Sequence, residues 1–572
     1  MVVPTPGHTA TTAARIWIPS IIDRIARFLP RNEVACSLRV VDKATAAMLR
    51  TPEFTTVRLS EPVPHHAFSW RWGRPGSMRD LTRARRRELV CLTAASGATA
   101  NLALAVQSAG CGLTDEVGYA AGKAGQLGSC ALLAELGCDM GRAVDGAAAG
   151  GHLALCEELT SWAGVQYSPF NCAMTAAGAG HTHILEWMVR QCELPAPHSG
   201  KAWDLARAVA QGCGLAALQH YHAKLIGPDG AEEEEVEEVD EDWLDLVKCR
   251  VVAAAAGSPT SDWRAKVEWL EAQSFPQPWD SITAAAKRPD ALERLTWLAQ
   301  RGYPRRPAGG YGADAPLVAA AAAGNAAAVL FLAEGLPADE DFEDVWSAAA
   351  EKGHIHVLQA LHAAGRRVGV YDAQSAANAA ARSGHLHVVA WLVETPGLEV
   401  VLDDLFKAAA ASGSVELLAW LRERGCPWGW RAFSAAAEPG CVAVLEWLAE
   451  RGCPMSSDGR AFIHAVREED FAMLECLRRL GCPWGPTGYL SNVCFGPAFG
   501  DGKKDWVRML SWLVAAGCPI NWPTAIKNTT AAVADAAGWA ARQPASKYRA
   551  DLLEQCQRAH AWVTAEAHRH QR

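Results

Sequence analysis

"AAAASGSVELLAWLRERGCPWG", Ala408 to Gly429, holds the pattern on which most of the chain is built. A run of small residues ends at Gly413. An apolar stripe of Val415, Leu417, Leu418, Trp420 and Leu421 follows at helical spacing, and Gly425 closes the unit. Small residues let one helix lie close to a neighbour, the stripe gives a second helix one buried face, and the glycines mark turns. The same order recurs in "AAAEKGHIHVLQALHAAG" (Ala348 to Gly365) and "AAARSGHLHVVAWLVETPG" (Ala379 to Gly397). Turn glycines can be followed through Gly97, Gly125, Gly151, Gly180, Gly212 and Gly257, and again through Gly324, Gly353, Gly384, Gly413 and Gly440. Neighbouring clear copies are about 26 to 32 residues apart, and degenerate ones near Pro289 and Glu469 bring the total to about 14. A helical hairpin cannot bury its apolar face alone, so repeats at this period stack. The expected fold is an all-α solenoid of short helical hairpins.

At 572 residues the chain exceeds one compact core, in keeping with an elongated array. Its net charge of -9 runs against binding through phosphate neutralisation, so nucleic acid is not expected as a partner. The local exception is Arg71, Arg74, Arg79, Arg83, Arg85, Arg86 and Arg87. This cluster reads as a solvated helix face at the start of the array, or as a nuclear-import or phosphate-binding patch. The 18 cysteines are scattered, and Cys111, Cys138, Cys426, Cys453, Cys482 and Cys518 each directly follow a turn glycine. Equivalent sites in stacked repeats lie about 10 Å apart, beyond the roughly 7 Å Cα reach of a disulfide. Reduced thiols in a cytoplasmic or nuclear protein are therefore expected, which is expected to be a monomer. Met1 to Ser20 lacks a continuous apolar segment, and its few acids leave a transit peptide as a lesser reading. Ala315 to Leu332 is the nearest approach to a membrane span. Its Pro316, Gly324 and Asn325 make it a helix, a turn and a helix, so no membrane is expected.

The N-terminal segment departs from the repeat. Ile18, Ile21, Ile22, Ile25, Phe28 and Leu29 form a helical stripe that Pro30 stops, and Val34, Leu38, Val41 and Leu49 mark a second amphipathic stretch. So few short helices bury little core and normally need a partner. The order "IPSIIDRIARFLPRNEVACSLRVVDKATAAML" resembles an F-box. Ile18-Pro19 stand for its opening pair and Leu29-Pro30 for its second, and Glu33-Val34, Leu38, Val41 and Lys43 follow in order. Ser20, Ala44 and Thr45 depart from the pattern. The resemblance implies docking on a Skp1-type adaptor through Ile18, Pro19, Ile21, Ile22, Ile25, Leu29, Pro30 and Leu38. The alternative is a helix that merely caps the solenoid.

The repeats resemble the ankyrin family, whose Gly-His step is reproduced at Gly151-His152, Gly180-His181, Gly353-His354 and Gly384-His385. Two departures matter: the Thr-Pro-Leu-His opening is absent, and most units are shorter than the family's. The organisation read from the chain is a disordered N-terminus (1–15), F-box-like helices (16–52) and a connector with the first capping elements (53–86). The ankyrin-like solenoid follows (87–521), with an acidic loop inserted at 228–242, and a C-terminal helical cap and tail (522–572) end the chain. Nine acids among Glu232 to Asp242 repel one another and resist packing.

Trp187, Trp269, Trp297, Trp391, Trp420, Trp447 and Trp512 recur at one position of the second helix and are expected in the core between repeats. Truncating one would then cost about 3–5 kcal/mol. His181/His183, His354/His356 and His385/His387 sit in separate repeats without regular Cys or acid partners, so no metal is expected, and each first imidazole should bond an inter-helix turn. No phosphate-loop, zinc-protease or nucleophile-elbow motif occurs, so no catalytic residue and no cofactor is expected. The function read from the chain is capture of a protein partner on the concave face, with Trp346, Lys407, Phe433 and Phe462 as candidate contacts. With the F-box-like segment it becomes substrate receptor of a Skp1-cullin-F-box ubiquitin ligase; without that, a plain scaffold or a nuclear adaptor.

Overall fold

The structure is a computed structural model that describes residues 18–191, 195–227, 241–307, 312, 314–337, 340–366, 369–395, 397–398, 400–490, 506–542 and 547–570. Every regular element among them is helical. Thirteen consecutive helix pairs run from Arg83–Ser96 with Thr99–Ala109 to Arg460–Arg467 with Phe471–Arg479, and Trp506–Ala515 repeats the second-helix pattern once more. The chain is an all-helical repeat solenoid, in two compact units. Met1–Met78, Arg85–Ala109 and Leu113–Cys172 make one; Arg79–Ala84, Gly110–Gly112 and Ala173–Arg572 make the other.

Within each unit first helices pack on first helices. Asp115–Lys123 lies on Gly141–Gly150 in the first, and Glu343–Glu351 on Val370–Ser383 in the second. The small residues allow this approach. A Cβ added at Gly122 would sit 2.1 Å from the Ala143 carbonyl oxygen, so those two helices touch backbone to backbone. Second helices form their own layer: Ile355–Ala363 packs on Ala326–Ala333 before it and Leu386–Glu394 after it. Their buried residues repeat as Val388, Val389, Leu392; Leu417, Leu418, Leu421; and Val444, Leu445, Leu448.

Each first helix ends with carbonyls that no helical N–H reaches. In most repeats a left-handed glycine closes the turn. Gly384, at φ 77°, turns its amide back to the carbonyls of Ala380 and Ala381. A histidine from the next repeat adds to this. His385 Nε2 donates to the Glu351 carbonyl at 3.0 Å and His387 Nε2 to that of Gly353 at 3.1 Å. His354 and His356 do the same to Ala322 (3.2 Å) and Gly324 (2.8 Å), and His152 to Lys123 (3.1 Å). Each ring thus bonds the turn of the preceding repeat, which locks neighbours in register.

Gly212 and Gly257 do not adopt the left-handed conformation. Longer cations take over there. Lys266 Nζ donates to the carbonyls of Ala210 (2.7 Å) and Cys213 (2.9 Å) and to Ser258 Oγ (2.7 Å). Arg294 Nη1 donates to the carbonyls of Ala256 (2.7 Å) and Ser258 (2.9 Å). Burial pulls the Lys266 pKa down to about 8, against the nearby Asp262 carboxylate.

The segment read as the nearest approach to a membrane span is Ala315–Ala322 and Ala326–Ala333 around Gly324, and no helix among the described residues is long and apolar enough to cross a membrane. The arginine cluster is not a free basic face. Arg86 is buried and donates to the Ala109 carbonyl, Arg85 pairs with Glu88 at 2.8 Å, and Arg71 lies 4.0 Å over the Trp72 ring. In the second unit Arg79–Ala84 forms a strap across Pro439–Ala443. The Arg83 amide donates to the Pro439 carbonyl at 2.7 Å and that of Ala443 to the Arg79 carbonyl at 3.0 Å, while Arg83 pairs with Glu468 at 3.5 Å. The helices Trp522–Arg542 and Lys547–His570 pack on one another, and Trp522 stacks on His570 at 5.2 Å. Residues 1–17 and 228–240 of the N-terminus and acidic insert lie outside the described residues; Glu241 and Asp242 open the helix Glu241–Ala256.

Candidate functional site

Two surfaces stand out, one in each unit. The first begins at Pro19–Phe28, where a proline in the opening turn loses no helical hydrogen bond. Ile22 and Ala26, one turn apart, point inward onto Val34, Leu38 and Leu49, and Ile25, Leu29 and Phe54 pack at the edge. Ile22 and Leu38, two of the residues expected to meet an adaptor, are therefore part of this unit's own core. Ile18, Pro19 and Pro30 are exposed, and Ile21, Ile25 and Leu29 half-buried. Further apolar residues of this segment, not on that candidate set, are also exposed. Phe28 is 80% exposed, Val40 71% and Val41 58%. Ile21, Arg24, Ile25, Phe28 and Leu29 line a shallow apolar cleft of about 270 Å³. The sequence carried a signal for this face: more apolar positions recur along Pro19–Phe28 than one small core can take in.

This small helical unit is held to its connector by Asn32, which is fully buried. Its Nδ2 donates to the Arg58 carbonyl at 2.7 Å and its Oδ1 accepts from the Arg58 amide at 2.9 Å. Farther on, Asn101 Nδ2 donates to the Val63 carbonyl at 2.7 Å, and His65–Trp72 packs on the first repeat's helix Thr99–Ala109 with Phe68 buried. A connector helix thus covers the outer side of that helix.

In the second unit the structure redistributes the candidate contacts. Trp346, Phe433 and Phe462 are fully buried, so they are packing residues of the first helices and not a contact surface. Trp346 and Phe433 each stand two residues before a run of three alanines, on the same helix as those small residues. Lys407 alone of the four is exposed, on Leu402–Ala410.

The recurring tryptophans move the other way. Trp187, Trp269, Trp297, Trp391, Trp420, Trp447 and Trp512 are all half-buried, not core. Helical geometry gives the reason. At about 100° per residue, Trp420 lies roughly a quarter-turn from the centre of the Leu417–Leu418–Leu421 face. The indoles flank the seam and are covered from outside. Arg424 lies 3.7 Å over Trp420, Arg451 4.4 Å over Trp447 and Arg301 4.8 Å over Trp297. Other rings meet them from neighbouring elements, as Trp428 meets Trp447 at 6.1 Å and Trp263 meets Trp297 at 5.2 Å.

Several of the described cysteines are held as thiols. Burial pushes the thiols of Cys453 and Cys482 up to about 11 and those of Cys130 and Cys518 up to about 12. Cys426 Sγ donates to the Leu402 carbonyl at 2.8 Å, at the start of the first helix of its own hairpin.

The second surface was not foreseen. Arg207, Arg250, Lys287 and Arg288 line a groove of about 700 Å³ over the first helices of three consecutive repeats. These residues come from three stretches dozens of positions apart, so no sequence window contains them together. Asp204, 3.8 Å from Arg207, and Asp280 share the groove, and burial lifts the Asp280 pKa against the pull of Arg250.

No protein-family model matches the chain. No curated protein matches it either. Among solved structures it is similar to the crystal structure of the pentatricopeptide repeat protein PPR10 from maize, at 12% identity and a TM-score of 0.20, over 95% of this chain and 97% of that one. It is also similar to the structure of PPR10 in complex with an 18-nt psaJ RNA element, at 13% identity and a TM-score of 0.17, over 97% of this chain and 98% of that one. The expectation that nucleic acid is no partner is corrected here. A chain of net charge -9 gathers four cations in one groove, so overall charge excludes no class of partner. At that TM-score the likeness assigns no ligand to this chain.

Proposed function

We propose that this chain is a non-catalytic binding protein whose repeats of ankyrin type hold a partner protein, and whose F-box-like N-terminal helices recruit a Skp1-type adaptor. It would thus serve as substrate receptor of a ubiquitin ligase in the cytoplasm or nucleus. The observation that carries the adaptor half is the exposure of Phe28 at the Ile21–Leu29 cleft, together with that of Val40 and Val41 in the same helical segment. A large apolar side chain left in water forgoes about 1.5–3 kcal/mol of burial, and several together mark an interaction surface. The helix His65–Trp72 already lies over the first repeat, which weighs against the N-terminal helices serving only as a seal. The scaffold reading without a ligase role keeps the same solenoid and drops the adaptor.

Co-elution of the full chain with a purified Skp1-type adaptor in size-exclusion chromatography tests the proposal. A complex is expected with wild type and lost in a Phe28→Asp/Val41→Asp variant. Both positions are exposed, so the variant keeps its helical content. No co-elution with wild type would favour the scaffold.

A further inference from the structure

We propose that the groove formed by Arg207, Arg250, Lys287 and Arg288 binds an acidic peptide segment of a partner protein. The inference rests on the reading of the solenoid as a protein-binding array and gives its ligand a chemical class. Four cations face two carboxylates, Asp204 and Asp280, an excess of two positive charges inside a chain of net charge -9. Arg250 and Lys287 are exposed, with their charges available. Arg288 is different. Its Nε is buried and has no hydrogen-bond acceptor. Its guanidinium therefore has hydrogen-bonding capacity to spare, and its half-exposed end can be offered to a carboxylate in the groove. Guanidinium groups also take carboxylates through two parallel hydrogen bonds, a geometry that a lone lysine cannot offer.

The floor of the groove selects the shape of the ligand. Ala253, Ala254, Gly257 and Ala284 carry nothing beyond Cβ, so a main chain can lie close to the helices with its acidic side chains reaching the rim. Three first helices at about 10 Å spacing span about 20 Å, the length of roughly six extended residues. The carboxylates of Asp204 and Asp280 suit a ligand that brings its own N–H donors, as a peptide main chain does. A phosphodiester strand has no main-chain donor to give them and would meet both as like charges. No aromatic ring lines the groove, so bases would find nothing to stack on. The observations therefore favour peptide over RNA.

The test is fluorescence anisotropy on the full chain with three labelled probes: a (Glu-Ala)5 peptide, its (Gln-Ala)5 counterpart and a ten-nucleotide uridine strand. The acidic peptide is expected to bind, with affinity at least tenfold above the glutamine peptide and falling as salt is raised. The double variant Arg250→Glu/Lys287→Glu should weaken it at least tenfold. Both side chains are exposed, so the helices persist, and circular dichroism checks this; the milder Arg250→Gln should give an intermediate loss. Binding of the uridine strand in place of the peptide, acidic-peptide binding indifferent to both variants, or no saturation up to 1 mM would each overturn the proposal. The Phe28→Asp/Val41→Asp protein should bind the acidic peptide as wild type does, so failure of the adaptor reading and failure of this one are told apart.

Discussion

Substituting Lys266→Met keeps an unbranched apolar stem in place and removes the ammonium that bonds two carbonyls and a hydroxyl. The change leaves the carbonyls of Ala210 and Cys213 without their donor at a helix end where Gly212 is not left-handed. Each buried orphan costs about 1–3 kcal/mol. Against this, the variant no longer buries a charge, which returns part of the loss. The net destabilisation comes to about 2–4 kcal/mol. At about 1.4 kcal/mol per factor of ten, amide exchange in Gly200–Gly212 and Trp263–Ala272 should speed up by roughly 30- to 1000-fold. Repeats couple mainly to their neighbours, so Arg460–Arg467 should exchange at its wild-type rate. The pH dependence gives a second signature. With the folded pKa near 8 and a lysine's ordinary value at 10.5, the unfolded chain holds more protons between those values. Lys266 therefore adds stability as pH rises through that window, and wild type should gain on the variant between pH 8 and 9. Hydrogen exchange read by mass spectrometry decides the matter. Unchanged exchange around Ala210, or slower exchange in the variant, would refute the assignment of Lys266 to the helix-end carbonyls.

The tryptophans should separate by burial. Trp346→Ala empties a fully buried site and should cost about 3–5 kcal/mol, whereas Trp420→Ala loses half-buried area and one cation–π contact, about 1–3 kcal/mol; local hydrogen exchange of the two variants ranks them. Thiols such as Cys453, Cys482 and Cys518 should react with a thiol reagent at pH 8 far more slowly in native than in denaturant-unfolded protein, as absorbance of the released chromophore would record. Their folded pKa values lie above a cysteine's ordinary 9.0, so the unfolded chain releases protons first and these groups withdraw stability as pH climbs from about 9 towards 11–12. Chemical denaturation at pH 8 and pH 10.5 should show that fall, and substituting Cys453→Ser should lessen it.

The helical hairpins could be read directly because each is local: alanine runs, one stripe and a turn glycine lie within a single window. What escaped was set by rotation and by distance. Whether an aromatic residue faces the seam or its flank depends on a quarter-turn of helix, so Trp346 and Trp420 exchanged the roles expected of them. Nothing in the sequence singled out Lys266 and Arg294, because the carbonyls they bond lie in a preceding repeat. The groove at Arg207 and Lys287 needs three repeats at once. In the N-terminal segment the stripe itself was plain, but its division into core (Ile22, Leu38) and open face (Phe28, Val41) depended on how few residues that small core accepts.

The most direct test of the account is a hydrogen-exchange footprint of the full chain with and without a purified Skp1-type adaptor. The account predicts protection confined to the helices around Phe28, Val40 and Val41, lost in Phe28→Asp/Val41→Asp, with the repeats from Leu402 to Arg479 unaffected. A footprint on the repeats, or none anywhere, would contradict it.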